Sequence, residues 1–138
     1  MRRHVMGIGL VMGLGAAVAG VGGGGCSAKL GGTLTVDGTP FQPASCRSGA
    51  VYGFTGVELT DGSGRRLRMA SRADGRASAL VFAAGAATGD DLGVCGPFQL
   101  IRQSSTINNV TNVQGQGALD CSGSGHTIKG TVEFENCH

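Results

Sequence analysis

Apolar and polar residues alternate with a period of two along most of this chain. In TIKGTVEF, Ile128, Gly130, Val132 and Phe134 share one face, and Thr127, Lys129, Thr131 and Glu133 share the other. That is the pattern of a strand with one buried side. TLTV alternates Leu34 and Val36 with Thr33 and Thr35, VELT sets Val57 and Leu59 against Glu58 and Thr60, and RLRM sets Leu67 and Met69 against Arg66 and Arg68. SALVF and PFQLI read as further short strands. Asp37-Gly38, Asp61-Gly62 and Asp74-Gly75 separate them, and Asp-Gly pairs favour type I′ hairpin turns. A Gly-Ser-Gly turn is expected at Gly123–Gly125. Short strands punctuated by turns predict an all-β fold, a small antiparallel β-sandwich or partly open barrel. The Ala-rich region Ala79–Asp91 is also compatible with a helical turn, and QSSTINNVTNVQGQG (Gln103–Gly117) with a long recognition loop or an exposed strand pair.

The first residues break this pattern. Arg2 and Arg3 precede an uncharged run from Val5 to Val21, the arrangement of a secretory signal peptide. The run is short for a membrane span and is interrupted by glycines. Ala17-Val18-Ala19 offers an ordinary cleavage site. Gly23-Gly24-Gly25-Cys26 resembles instead the lipobox of bacterial lipoproteins, in which the cysteine is acylated and becomes the first mature residue. Gly23 departs from that pattern, which usually has a larger apolar residue there. Residues 1–25 are therefore expected to be a removed signal, residues 26–32 a lipidated cysteine and flexible tether, and residues 33–138 one β domain.

Composition sharpens the picture in two respects. The full chain has 11 basic and 9 acidic residues. Without Arg2 and Arg3 the balance is zero, so a generally basic nucleic-acid-binding chain is not indicated. There is no Trp and only one Tyr, so the core is sparse in large rings and disulfides would help it. Five cysteines are present: Cys26, Cys46, Cys95, Cys121 and Cys137. If Cys26 carries lipid, four remain for two disulfides, with three possible connectivities.

Both ends of the mature region resemble a known family. LTVDGTPFQPASC near the front and VQGQGALDCSGSGHTIKGTVEFENCH at the end are similar to the small mycobacterial cell-envelope lipoprotein antigens, with the stretch from Ala50 to Val110 outside the likeness. The resemblance implies a lipid-anchored, surface-facing β domain with no known catalysis; no cofactor or metal is expected. It also implies a disulfide between Cys46 and Cys137. Cys95 and Cys121 depart from the family pattern, and pairing them with each other completes the count.

Chemistry is otherwise scarce. No Ser stands in a G-x-S-x-G motif. His126 near Asp120 and Ser124 reads as turn polarity, since a triad is defined by geometry. Cys121, His126, Cys137 and His138 could together hold a metal, but lack the paired C-x₂-C spacing of a zinc site. Arg65, Arg66, Arg68, Arg72 and Arg76 form a basic run. It reads either as a solvated, edge-protecting strand or as a face for phosphate or lipid headgroups. No aromatic residue is interleaved within it for base stacking. The expectation is a non-enzymatic envelope lipoprotein, attached to the membrane through Cys26, with a structural or interaction role and an unidentified protein or glycolipid partner. The alternatives are a module for a hydrophobic or glycolipid ligand, and a Cys/His metal-binding protein.

Overall fold

The computed structural model describes residues 27–104 and 111–138. Nine strands follow in order: β1 (Lys29–Val36), β2 (Thr39–Phe41), β3 (Pro43–Ser48), β4 (Gly56–Asp61), β5 (Arg66–Ser71), β6 (Arg76–Phe82), β7 (Asp90–Ser104), β8 (Thr111–Gly123) and β9 (His126–Cys137). A 3-10 turn, Gly49–Tyr52, links β3 to β4. All pairings are antiparallel, in the order β2-β1-β9-β8-β7-β6-β5-β4-β3. β2 and β3 are separated only by Gln42, so the two ends of this order are one bent strand and the sheet is nearly closed.

The barrel is flattened into two half-sheets that meet at two bent strands. At the first corner, β2 pairs with β1 and the chain then crosses to pair β3 with β4. At the second, β7 pairs with β6 through Asp90–Pro97 and with β8 through Phe98–Ser104. Pro43 and Pro97 stand at these corners. Proline has no N–H for a ladder, so it suits a point where a strand leaves one neighbour. Each corner leaves a seam where neighbouring backbones diverge, and each seam carries a disulfide. Cys46 of β3 is bonded to Cys137 of β9, and Cys95 of β7 to Cys121 of β8.

The period-two pattern accounts for the core. Leu34, Val36, Val57, Leu59, Leu67, Met69, Ile128, Val132 and Phe134 are all buried inside the barrel. Each large side chain among them contributes roughly 1.5–3 kcal/mol by leaving water. Phe98 and Phe134 stack across the interior with ring centres 5.9 Å apart. At Gly130 (φ 123°) the chain passes so close to β1 that a Cβ would overlap the Thr33 carbonyl oxygen. Such kinks let the Gly-rich half-sheet coil tightly.

Several expectations are corrected. β1 begins at Lys29, so residues 29–32, expected in the tether, are paired with Val132–Glu135. Asp37-Gly38 has φ of 55° and 75°, as a type I′ turn requires, and Ser124-Gly125 has 51° and 81°. The Asp61 and Asp74 turns are longer: in the first the positive φ falls at Gly64 and not at Gly62, and in the second at Gly75 but not at Asp74. The Ala-rich stretch forms β6 and a turn closed by Ala86 N–H to the Ala83 carbonyl. Much of Gln103–Gly117 belongs to β7 and β8, while residues 105–110 lie outside the described residues.

Candidate functional site

Alternation on β4 and β5 turns Glu58, Arg66 and Arg68 to the outer face of their half-sheet, with Val57, Leu59, Leu67 and Met69 pointing in. The register places Arg47 beside Glu58 and Glu58 beside Arg68. Two guanidinium groups, those of Arg66 and Arg68, reach this one carboxylate. Glu58 is nevertheless only 3% exposed. It accepts hydrogen bonds from Arg68 Nε and, at 3.2 Å, from the Tyr52 hydroxyl, and Arg66 Nη1 stands 3.7 Å away.

The cover comes from aromatic rings elsewhere in the chain. The Arg68 guanidinium lies 4.4 Å from the ring centre of Tyr52 and 4.7 Å from that of Phe82, and Arg66 lies 4.3 Å from Phe82. Phe54 stacks beside Tyr52 at 6.3 Å. A cation over a ring face is attracted by about 0.5–2 kcal/mol, more as water is excluded. The 3-10 turn brings Tyr52 into place, starting where the Ser48 hydroxyl caps the Ala50 N–H and ending at Gly53. This is an ordered basic and aromatic coat on the outside of the barrel. The edge-protection reading of the arginines is therefore corrected: β5 lies between β4 and β6, and Arg66 and Arg68 are partly covered. The sequence reading also missed the rings, because Tyr52, Phe54 and Phe82 lie outside the basic run.

At the opposite end of the barrel, three turns converge on His126. Its Nδ1 is 2.7 Å from Asp37 Oδ2 and its Nε2 is 2.8 Å from Asp90 Oδ2. Asp37 also accepts the Thr127 N–H at 2.8 Å. The hydrogen bonds to Asp37 and then Asp90 hold the imidazole pKa above its ordinary value, against a smaller opposing effect of burial. Asp37 is held below the usual carboxylate range, first by its bond to His126 and then by the Thr127 N–H. The His126 ring, held through both nitrogens by two carboxylates, ties the β1–β2, β6–β7 and β8–β9 connections together. Asp120 and Ser124, the neighbours in sequence, are not its partners: Ser124 donates instead to the Asp91 carbonyl at 2.7 Å. Next to this cluster, burial raises the Asp61 carboxyl, but hydrogen bonds from Ser63 and Arg65 outweigh that effect and lower it.

The outer face of the other half-sheet has a different character. A shallow trough of about 430 Å³ is lined by Lys29, Gly31, Gln114, Glu135 and their neighbours. It runs into a second, of about 470 Å³, through the shared Gln99, Gln116 and Glu133. Both are open, and their walls mix amides and carboxylates with apolar residues such as Ile101, Phe134 and Phe98.

The remaining sequence candidates separate cleanly. Cys46, Cys95, Cys121 and Cys137 are the four disulfide cysteines. Cys121 and Cys137 belong to different bridges, so the thiolates of the Cys121–His126–Cys137–His138 metal set are already taken, and among the described residues no cluster of three or more metal-ligating side chains occurs. Cys26 lies outside the described residues. No family model, no curated protein and no solved structure matches this chain.

Proposed function

We propose that this chain is an exported lipoprotein, acylated at Cys26, that holds a rigid β domain at the cell-envelope surface in a non-catalytic, structural or interaction role. The observation that carries the reading is the cysteine arithmetic. Four of the five cysteines are joined in two disulfides, which leaves Cys26 alone behind a glycine-rich, lipobox-like junction. Disulfides belong to oxidising compartments, which supports export. An unmodified thiol at an exposed site would be a reactive liability, whereas an acylated one is an anchor. The likeness to mycobacterial envelope lipoproteins points the same way.

Intact mass of the protein purified from its native membrane, with and without reduction and alkylation, tests this. The expected mass is that of residues 26–138 plus acyl groups, with four alkylations appearing only after reduction. A mass beginning at Gly20, or a thiol that alkylates before reduction, overturns it.

A further inference from the structure

The strand directions place the start of β1 at the same end of the barrel as the β3–β4 link and the β5–β6 turn. Cys26 precedes Lys29 by three residues, a reach of roughly 10 Å even when fully extended. On the anchored reading this end therefore faces the lipid. Arg47, Arg72 and Arg76 are exposed there, beside Val51 at 60% and Tyr52 at 40% exposure. Asp74 pairs with Arg72 at 3.4 Å, and the buried Glu58 is already shared by Arg66, Arg68 and Tyr52. Arg47 and Arg76 form no ion pair among the described residues. On the other side of this end, Lys29 and Arg102 are balanced by Glu133 and Glu135. The far end is the reverse: Asp37, Asp90, Asp91 and Asp120 outnumber Lys129 and His126, Asp61 is matched by Arg65, and Arg66 is turned to Glu58 and the Ala86 carbonyl. The barrel is thus polarised along its length.

We infer that the end bearing Arg47, Val51, Tyr52, Arg72 and Arg76 docks on the phosphate headgroups of an anionic lipid surface. This inference rests on the lipid anchor proposed above. Guanidinium groups bind phosphate as planar forks. The hydroxyl of Tyr52 is held by Glu58, and the ring, in a residue 40% exposed, offers the amphipathic surface that suits the headgroup layer. A short tether keeps this patch at high local concentration against the membrane, so a few weak charge contacts suffice to orient the domain. Docking of this kind would fix the troughs and the His126 end at a constant presentation to whatever lies outside.

Tyr52 is the chain's one tyrosine and there is no Trp, so intrinsic emission reports on this patch alone. The acylated protein is reconstituted into vesicles of phosphatidylcholine, or of phosphatidylcholine with phosphatidylglycerol, each carrying a dansyl headgroup probe. Energy transfer from Tyr52 is expected to rise at least roughly twofold with phosphatidylglycerol and to fall back in high salt. The double variant Arg47→Gln/Arg76→Gln is expected to show only the phosphatidylcholine level while still floating with the vesicles, and Val51→Ser to show a smaller loss. Equal transfer in both vesicle types, or no change in the double variant, overturns the docking inference and leaves the anchor standing. Failure of the wild-type protein to float with either vesicle removes the anchor and the inference together.

Discussion

The two half-sheets close one barrel with opposite materials. β3 to β6 carry bulky residues on both faces: Val57, Leu59, Leu67 and Met69 inside, and an arginine and aromatic coat outside. β7, β8, β9 and β1 carry glycines, threonines and glutamines, and obtain their curvature from close backbone approaches such as Gly130 on Thr33. The first half is held by side chains on both faces. The second is held by its hydrogen-bond ladders, by the inward Phe98–Phe134 pair and by its edges being tied down. The disulfides sit where the two halves meet, and their removal is the largest way to break the arrangement. Cys46–Cys137 spans 91 residues and Cys95–Cys121 spans 26, so loop closure assigns them about 4–5 and about 3–4 kcal/mol. Urea midpoints of Cys46→Ala/Cys137→Ala and Cys95→Ala/Cys121→Ala are expected to fall in that order. Equal losses would show that local packing, not chain restriction, sets their contribution.

Within the Gly-rich half, a close backbone approach and an open turn tolerate change differently. Gly130→Ala puts a Cβ against the Thr33 carbonyl at a φ that side chains rarely adopt. A cost of about 3 kcal/mol is expected, with faster amide exchange confined to β1 and β9. An alanine at Gly38, where nothing lies within 4 Å of the added Cβ, meets only the φ penalty and is expected to cost about 1 kcal/mol. If the two variants unfold at the same urea concentration, close backbone approach is not what curves this half-sheet.

The difference between the halves also explains what was legible in the sequence. Inward positions followed from alternation alone: Leu34, Val36, Val57, Leu59, Leu67, Met69, Ile128, Val132 and Phe134 are all buried. The first and last hairpin turns were legible because Asp37-Gly38 and Ser124-Gly125 carry their own φ requirement. Outward positions were not. Alternation assigns Glu58 to solvent, yet Tyr52, from a 3-10 turn, and Phe82, from β6, fold over its neighbouring arginines, and that depends on register rather than on local pattern. His126 was read against its neighbours in sequence, but its partners are 89 and 36 residues away. The start of β1 was missed because Gly31 and Gly32 carry no side chain with which to show a period. Nor did the prolines announce themselves as corners, since a corner is defined by which strand each half of a chain segment pairs with.

Arg68→Met tests whether the outer coat stabilises the fold. It leaves Glu58 buried without its nearest guanidinium, although Arg66 and the Tyr52 hydroxyl remain. Losing one partner of a fully buried pair costs about 3–5 kcal/mol, and with Arg68 23% exposed a smaller loss of about 1–2 kcal/mol is expected. Adding Glu58→Leu should recover part of it, because no buried carboxylate then remains, and Arg66 and the Tyr52 hydroxyl, which lose that partner, are both partly exposed to water. A double variant less stable than Arg68→Met alone would mean that Glu58 has a favourable role independent of Arg68.

The smallest effect is the one that depends on pH. His126 has a raised pKa in the folded protein, so its contribution is fully present below the ordinary value of 6.5 and is lost as pH rises through the folded value. Asp37 has a lowered pKa, so its contribution is present above 3.8 and is lost as pH falls through its folded value. The clasp is therefore strongest in the mildly acidic window between them. His126→Gln is expected to lower stability there by less than about 1 kcal/mol, since the carboxylates face water and Arg65 also lies near Asp37. The gap between wild type and variant should close toward alkaline pH, as the wild-type imidazole loses its charge. Amide exchange at Thr127, which donates to Asp37, gives a second readout: its protection should fall with rising pH in the wild type and stay level in the variant, once the intrinsic rate is divided out. A gap that stays constant across the range would make His126 a neutral spacer between three turns rather than the charge that joins them.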